Sequence, residues 1–251
     1  MMRATRWSPD TDKMPSNPIT QGFTLYCLAD RCYICDIHPT SNQASPNPVP
    51  STNNLAATGE VVYHLLQMLP STMYWIVYLD DIYTTIPVLW RLYHDLHMGA
   101  CGTAYPSSCE FPPELKIPKQ DVGQYEYHAL KVFAVKDSLF GQLFGAHLWL
   151  DNAPVTIVST VYNIDGQQER LMKRWGMTST NRKNAWEAFG NFQHKQMTLP
   201  LSIDDCNHNL GSVDLADRMH SYCDTQLTSF RTWWPMLFSA YDTMVTNAYF
   251  F

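Results

Sequence analysis

The N-terminal part of the chain alternates between apolar runs and polar, proline-rich stretches. In residues 22–38, two short β-branched and aromatic runs flank Asp30-Arg31, which predicts a β-hairpin. Residues 39–57 hold four prolines among serines and asparagines, a composition typical of a surface loop. Residues 59–69 place apolar side chains on one face at helical spacing, so we predict a helix there.

The middle of the chain shows strand and helix patterns in turn. Residues 74–79 predict a strand, which runs directly into two adjacent acids, Asp80 and Asp81. A helix is predicted over 86–97 and a short strand over 99–105. The apolar stripe predicted for that helix consists of Ile86, Leu89, Trp90, Tyr93 and Leu96. Strands that alternate with helices in this way indicate an α/β sheet.

The pattern changes after residue 105. A proline-rich, irregular stretch is followed by apolar runs that predict short antiparallel strands, so we predict a β-rich insertion over 105–165. Residues 165–200 are predicted to form loops. A basic group in this last stretch consists of Arg170, Lys173, Arg174, Arg182 and Lys183. Contacts to DNA phosphates and a solvated loop are equally good interpretations of this group.

Two helices are predicted at the C-terminal end. Leu215, Met219 and Tyr222 share one face of the first helix. The second helix shows a sustained apolar stripe that consists of Trp234, Leu237, Phe238, Tyr241, Met244, Val245 and Ala248. Pro235 requires this helix to begin just before it, because proline fits a helix only in its first turn. We interpret the stripe as core packing rather than as a platform for stacking bases.

Composition narrows the class of protein. The chain has 251 residues, of which 45% are hydrophobic and 13% aromatic, so it can bury a large core. Its formal net charge of −6 disfavours a nucleic-acid surface over the whole chain and leaves room for a local basic groove. Because no apolar run reaches the ~18–20 residues of a membrane span and no signal core begins the chain, we expect neither a membrane association nor secretion.

The seven cysteines are scattered, and we interpret them as reduced intracellular thiols. Cys32, Cys35 and His38 have a spacing that zinc ligands can have. Alternate residues of a hairpin point to opposite faces, however, so these side chains do not converge. The spacing therefore favours a structural role for all three.

Three carboxylates are the candidates for chemistry. Asp80 ends a predicted strand, and functional groups of open α/β sheets gather at the carboxyl ends of strands. Asp214 and Asp217 are three residues apart on a predicted helix, so they share a face. Carboxylates that converge repel one another unless a divalent cation neutralises them, and their hard oxygen atoms suit Mg²⁺. Two such ions activate a water and stabilise a leaving 3′-oxygen.

Each carboxylate also has a structural interpretation. Asp80 can simply cap the turn after its strand, because acids are common turn residues. Asp214 and Asp217 can form a solvated helix face, or an acidic first turn that the helix dipole favours.

Six segments of the chain, in order, resemble motifs of the piggyBac transposase family, especially the transposase-derived proteins of fungi. "KMPSNPITQGFTLYCLAD" is similar to K-x-P-x-K-P-x-x-x-G-[YF]-K, and "LDDIYTTIPVL" to D-N-[FW]-[YF]-T-S-x-P-L. "GACGTAY" resembles G-T-x-R, and "WLDNAPVTIVSTVYN" resembles W-x-D-x-x-x-V-x-x-[LI]-S-T. "CNHNLGSVDLADRMHSY" is similar to Y-N-x-x-M-G-G-V-D-x-x-D, and "TSFRTWWPMLFSAYDTMVTNAY" to R-x-W-x-x-x-x-F-x-x-x-x-D-x-x-x-x-N-A. The order and spacing of these segments carry the resemblance, which covers nearly the whole chain.

The resemblance implies a ribonuclease H-like fold with an insertion, and metal-dependent cut-and-paste DNA transposition at TTAA sites. It implies that Asp80 is the second member of the catalytic Asp triad, Asp214 the third, and Asp217 the additional acid beside it. These residues would bind Mg²⁺ or Mn²⁺. Asp81 stands where the family usually has Asn. DNA, as transposon ends and TTAA target, a homodimer partner and a nuclear location are implied as well.

The chain also departs from the family pattern. The family's first catalytic Asp lies in a D-E-x-M motif just before the segment that aligns with Met1-Met2, so we expect an N-terminally truncated chain that lacks the first strand and the first metal ligand. Two functions of different classes follow. One is the catalytic domain of a piggyBac-like transposase, impaired by that loss. The other is a non-catalytic relic or a domesticated DNA-associated protein.

The predicted fold class is α/β, with a ribonuclease H-like mixed sheet, flanking helices and a β-rich insertion. Residues 1–104 are expected to be the N-terminal part of the ribonuclease H-like domain. Residues 105–200 are expected to be the insertion and basic loop, and residues 201–251 the C-terminal helices that complete the domain.

Overall fold

A computed structural model gives the fold of most of the chain. The structure describes residues 2–3, 11–13, 15, 20–39, 55–105, 130–136, 143–150, 154–163, 165–174, 176, 182–222, 225 and 234–250. Most of the loop predicted over 39–57 and the proline-rich stretch after residue 105 lie outside the described residues.

Strands dominate the first two thirds of the chain, and helices the last part. The elements up to residue 103 are β1 (Met2–Arg3), β2 (Asp12–Lys13), β3 (Gln21–Phe23), β4 (Leu25–Asp30), β5 (Tyr33–Pro39), α1 (Ala57–Gln67), β6 (Ile76–Leu79), α2 (Ile86–His94) and β7 (Gly99–Thr103). The later elements are β8 (Leu130–Lys136), β9 (Leu143–Leu150), β10 (Pro154–Ser159), β11 (Gln167–Lys173), α3 (Arg182–Phe189), β12 (His194–Pro200), α4 (Leu201–Asn209), α5 (Ser212–Tyr222) and α6 (Trp234–Phe250).

The chain divides into two compact units. Unit 1 combines Met1–Pro70 with Gly211–Phe251, and unit 2 is Ser71–Leu210. The domain boundaries predicted at 104/105 and 200/201 follow from the family resemblance, whereas these two units are defined by their compactness. The predicted boundaries therefore stay a prediction.

The predicted hairpin in unit 1 is present as β4 and β5. These strands pair antiparallel from Leu25 opposite Pro39 to Asp30 opposite Tyr33. The two residues of the turn, Arg31 and Cys32, have φ values of 44° and 78°. Two-residue hairpin turns of type I′ require positive φ at both positions, because their twist then matches that of the strands. The short strands of unit 1 form a separate sheet in the order β1-β3-β2.

Helices α1, α5 and α6 pack against the hairpin of unit 1. The face predicted for α1, which consists of Val62, Leu65, Leu66 and Leu69, is confirmed for the first three residues, since they are buried. Leu69 lies beyond the end of the helix and is half-buried. The face predicted for α5 is confirmed only in part. Its fully buried residue is Ala216, whereas Tyr222 at the end of the helix is exposed.

The interpretation of the α6 stripe as core packing is wrong. Leu237 and Met244 are 50% and 63% exposed, and Tyr241, Val245 and Ala248 are exposed as well, whereas Trp234 and Phe238 are half-buried. The buried face of α6 instead carries polar side chains, namely Asp242, Thr243 and Thr246. The hydrogen bonds of Asn247 and Asp242 set the rotation of this helix. The prediction that Pro235 lies in the first turn is confirmed.

Among the described residues of unit 2, five strands form one sheet in the order β6-β7-β10-β9-β8. Strands β6 and β7 are parallel, and the remaining neighbours in the sheet are antiparallel, so the sheet is mixed, as predicted. Helices α2 and α4 pack on β7, and α4 also packs on β10. The strands predicted within the insertion thus extend the same sheet as the strand that ends at Asp80.

The buried face of α2 is rotated from the stripe predicted for it. Leu89 is fully buried, as expected, but Val88 and Leu92 are also buried, whereas Tyr93 is 40% exposed. The helix also ends at His94, before Leu96. Apolar residues cover most of this helix, so spacing alone does not distinguish two overlapping faces, and the phenol hydroxyl of Tyr93 favours the wetter one.

The prediction of loops over 165–200 is wrong. Strands β11 and β12 form an antiparallel pair from Gln167 opposite Pro200 to Lys173 opposite His194. Helix α3 lies between them in the chain. Exposed and half-buried side chains alternate along β11, as expected of a strand with one covered face.

A hydrophobic cluster joins the sheet, α3, β12 and α4 in unit 2. Its buried members are Cys101, Trp149, Ile157, Ala188, Phe189, Met197, Leu199, Ile203 and Cys206. No helix among the described residues is long and apolar enough to cross a membrane.

Candidate active site

Asp80 is the first residue after β6, as the sequence predicts, and its side chain is exposed. Because β6 and β7 are parallel, their carboxyl ends lie at the same edge of the sheet, with Leu79 opposite Gly102. Asp80 Oδ1 accepts a hydrogen bond from the main-chain N–H of Asp81 at 2.8 Å. The carboxylate is therefore held by its own turn and stays open to solvent.

The turn after Asp80 is fixed by main-chain and threonine hydrogen bonds. The N–H groups of Tyr83 and Thr84 donate to the Asp80 carbonyl at 3.0 and 3.1 Å. Thr84 is buried, and its hydroxyl donates to the same carbonyl at 2.9 Å. The side chain of Thr85 then caps α2 by accepting from the N–H of Val88. Asp80 thus begins a rigid connection between a strand and a helix.

Gly102 allows β7 to approach this turn closely. A Cβ atom at this position would lie 2.3 Å from Thr84 Oγ1 and 2.5 Å from the Leu79 carbonyl oxygen. A real Cβ atom cannot lie at either distance, so the turn after Asp80 can pack this closely on β7 only because residue 102 is a glycine.

Asp81 has a partner of its own. Tyr105, just beyond β7, donates a hydrogen bond from its hydroxyl to the Asp81 carboxylate, and this bond together with the charge of Asp81 raises the pKa of Tyr105. The pair joins the two segments that leave the parallel strands at this edge. Asp81 therefore has a structural contact with Tyr105.

Asp214 and Asp217 lie on α5 in unit 1, and both are exposed. They are one turn apart and share a face, as predicted, while Ala216 packs inward. Asp214 belongs to the first turn, where the helix dipole favours an acid. Burial, and next the charge of Asp217, raise the pKa of Cys27 on β4 to about 11. Asp217 therefore lies close to the hairpin of unit 1.

The donor atoms at these positions suit a hard divalent cation. All three candidates are exposed carboxylates, and oxygen ligands are those that Mg²⁺ and Mn²⁺ prefer. Among the residues that the structure describes, neither unit by itself gathers three or more Asp, Glu, His or Cys side chains into a metal-binding group.

The basic residues predicted for DNA contacts have different surroundings. Arg170 Nε donates to both carboxylate oxygens of Asp204, at 2.9 and 2.8 Å. Arg174 donates to the Gly190 carbonyl at 3.1 Å. Lys183 lies 3.7 Å from Glu187 in an exposed i, i+4 pair, and Lys173 and Arg182 are exposed. Since Arg170 and Lys173 lie on alternate faces of β11, the five residues do not form one continuous surface on that strand.

The expectation that Cys32, Cys35 and His38 do not converge agrees with their surroundings. Cys32 is buried in the hairpin turn and Cys35 is exposed on β5. The imidazole of His38 instead faces His64 of α1, edge to face, with ring centroids 5.6 Å apart.

Three polar residues with fixed partners were not among the predicted functional residues. Asn247 of α6 accepts from the N–H of Ile34 at 2.9 Å and donates to its carbonyl at 2.8 Å, so it binds the main chain of β5 at both groups. Asp242 accepts from the Thr225 hydroxyl at 2.8 Å. Asp204, 4% exposed, binds Arg170. Asp242 and Asn247 lie in the last of the six resembling segments, and that was the available indication of their importance.

A family model described as Transposase IS4 matches residues 4–249. A cryo-EM structure of the piggyBac transposase synaptic complex with hairpin DNA is similar in fold, with a TM-score of 0.68 and 16% sequence identity over 95% of this chain and 42% of that chain. The chain thus spans less than half the length of the matched one. No curated protein matches it. The likeness confirms the predicted fold class, a mixed α/β fold whose mixed sheet is flanked by helices.

Proposed function

Because the chain belongs to the Transposase IS4 family, we propose that it is the catalytic part of a piggyBac-like DDE transposase that cleaves and joins DNA at TTAA sites. One observation carries this function: the family match spans residues 4–249 and includes an exposed carboxylate, Asp80, at the carboxyl end of a parallel strand pair. The likeness to a transposase that is complexed with hairpin DNA supports DNA as the substrate.

By the motif resemblance, Asp80, Asp214 and Asp217 are the proposed metal-ligand positions. Members of this family generally use a divalent metal. When bound, Mg²⁺ or Mn²⁺ would activate water and stabilise the leaving 3′-oxygen. Asp80 contributes a carboxylate that the rigid turn to α2 holds in place, which reduces the reorganisation needed on binding. A nuclear location, a fungal origin and a homodimer belong to the same proposal.

The test measures metal binding and strand cleavage in matched variants. In Asp80→Asn, we expect Mn²⁺ affinity measured by calorimetry to fall at least ~10-fold and cleavage of a TTAA-containing duplex to fall ~100-fold or more, because an amide oxygen replaces a charged ligand. Asp214→Asn and Asp217→Asn should show the same loss of metal affinity.

Asp81→Asn is the matched control, since it removes a charge one residue away and restores the residue usual in the piggyBac family. It should leave metal affinity within about threefold of the wild-type value. Equal Mn²⁺ affinity in the wild type and in all four variants would remove the catalytic assignment. Sequence-independent DNA binding without cleavage by the wild type would support the domesticated, non-catalytic alternative.

A further inference from the structure

Two thiols lie together in the core of unit 2. Cys101 on β7 and Cys206 on α4 are 0% and 1% exposed, and their Sγ atoms are 2.9 Å apart. Cys101 Sγ also lies 3.8 Å from the Ser202 carbonyl oxygen, to which its thiol can donate. Both cysteines belong to the hydrophobic cluster that joins the sheet to α4. A β-strand and a packed helix therefore hold two sulfur atoms against each other.

The separation of the two sulfur atoms is close to that of a bond. A disulfide has an S–S distance of about 2.0 Å, so the sulfurs need to approach by roughly 0.9 Å. Rotation about the Cα–Cβ bond of each cysteine moves its Sγ atom and supplies a shift of this size without large movement of the main chain. The other described thiols, Cys27, Cys32 and Cys35, lie on the hairpin of unit 1. Among the described residues of unit 2, Cys101 and Cys206 are therefore the two thiols that can react with each other.

The proposed DNA cleavage and the candidate metal ligands do not involve these two cysteines. A hydrogen bond that the Cys206 thiol donates to Cys101, and then burial, raise the pKa of Cys206. A neutral thiol shielded from solvent is a poor nucleophile and a poor metal ligand in the resting state. The reaction that the geometry favours is the one between the two sulfurs themselves, reached through local opening of the core.

We propose that Cys101 and Cys206 form a redox modification site, which a peroxide converts into an intramolecular disulfide between β7 and α4. One sulfur, as its thiolate, attacks hydrogen peroxide, so that an S–O bond forms, the O–O bond breaks and hydroxide leaves. The second sulfur then attacks the sulfenic acid, so that the S–S bond forms and the S–O bond breaks. The two thiol protons leave with the oxygen atoms, and two thiols and one peroxide give one disulfide and two waters.

The disulfide would close a loop between residues that are 105 positions apart in the chain. Such a bond stabilises a protein mainly because it restricts the unfolded chain, and more so for long loops. It would also tie α4 to the sheet whose strand β6 directly precedes Asp80. The inference is independent of the transposase assignment, because it requires neither metal nor DNA.

The experiment uses the reduced full chain and hydrogen peroxide. After timed exposure, free thiols are alkylated, and the digest is examined by mass spectrometry for a peptide pair linked through Cys101 and Cys206. We expect this pair in the wild type, formed ~10-fold or more slowly than exposed Cys35 is oxidised, because access requires opening. The oxidised protein should melt roughly 5–10 °C above the reduced protein, and dithiothreitol should reverse the shift.

Three variants and one added measurement make the outcome decisive. Cys35→Ser should keep both the linked peptide and the melting shift, whereas Cys101→Ser and Cys206→Ser should lose both. If the serine variants do not fold, wild-type protein oxidised in mild urea answers the same question, because opening should accelerate the link. Recovery of Cys101 and Cys206 as separate alkylated peptides after Cys35 is fully oxidised, in buffer and in urea, overturns the inference. So does a link from either residue to another cysteine.

Discussion

Single polar side chains with two fixed partners decide how helices sit in unit 1. Asn247 satisfies both the N–H and the carbonyl of Ile34, which are the groups that a neighbouring strand would otherwise bind. One amide side chain therefore anchors a 17-residue helix to the main chain of strand β5. Burying a main-chain group without a partner is costly, so this contact outweighs the gain from turning the apolar stripe inward.

Asn247→Ala is expected to lower the free energy of unfolding by about 1–3 kcal/mol, because it leaves two main-chain groups of Ile34 without their partners. Urea denaturation followed by circular dichroism measures this loss. Met244→Ala, which truncates an exposed side chain of the same helix, should change stability by less than ~0.5 kcal/mol. A loss no larger for Asn247 than for Met244 would contradict the anchoring role.

The imidazole pair of unit 1 gives a prediction about protonation. Burial, and next the neighbouring His64, lower the pKa of His38, while Asp36 acts in the opposite direction. In His64→Gln we expect the pKa of His38 to rise towards its ordinary value of about 6.5, incompletely, since burial remains. Titration of the His38 ring protons by NMR measures the change. His194→Gln, in unit 2, should leave the His38 titration unchanged.

The sign of the stability effect follows from the direction of that shift. Below about pH 6.5 the unfolded chain binds a proton at His38 more readily than the folded chain does. The contribution of His38 to stability is therefore fully present above pH 6.5 and is lost as the pH falls towards the lowered folded-state pKa. His38→Gln should flatten this part of the stability curve.

At the scale of elements, the sequence pattern predicted those helices, strands and turns that depend on interactions between residues close together in the chain. The hairpin, α1, β6, α2 and β7 all lie close to their predicted positions, because turn residues and hydrophobic spacing are read within a few residues. Asp80 was identified in the same way, as an acid that ends an apolar strand. The structure places it where the sequence predicts it, and its role stays a prediction.

Contacts between distant residues explain what the sequence could not supply. The apolar stripe of α6 has helical spacing, but the bond from Asn247 to Ile34 spans 213 positions and no pattern reveals it. Arg170 is held by Asp204, 34 positions away, so a residue that looked like part of a basic loop is a member of a strand. Cys101 and Cys206 meet only once the sheet and α4 have packed.

The approach of β7 to the turn after Asp80 leads to a prediction about these elements. Gly102→Ala is expected to destabilise unit 2 by about 1–3 kcal/mol, since the added methyl group meets Thr84 and the Leu79 carbonyl at impossible distances. Tryptophan fluorescence during urea unfolding gives the change. Gly176→Ala is the control, because a Cβ there meets nothing within 4 Å, and it should be nearly neutral. Equal stability of the two variants would mean that the turn yields freely.

At the scale of the whole molecule, charge limits how the protein can meet DNA. The chain carries a net charge of −6, so attraction to a polyanion has to come from local groups rather than from the overall field. Within the predicted basic group, Arg170 forms an ion pair with the buried carboxylate of Asp204. Lys173, on the opposite face of the same strand, is exposed. The two residues should therefore fail in different ways when they are replaced.

Lys173→Ala should weaken binding to a TTAA-containing duplex and to a scrambled duplex of equal length by the same factor. It should also reduce the slope of log affinity against log salt by about 0.9, because one phosphate contact is lost, with no change in melting temperature. Arg170→Ala should instead lower the free energy of unfolding by about 1–2 kcal/mol, because it leaves the buried Asp204 carboxylate without its arginine partner. The arginine is partly exposed, so solvent screening limits the loss. Lys13→Ala, an exposed lysine of unit 1, serves as the charge control in the fluorescence-anisotropy titrations. If Lys173→Ala and Lys13→Ala have identical salt slopes, β11 does not contact the phosphate backbone, and the DNA path has to be sought among other cations.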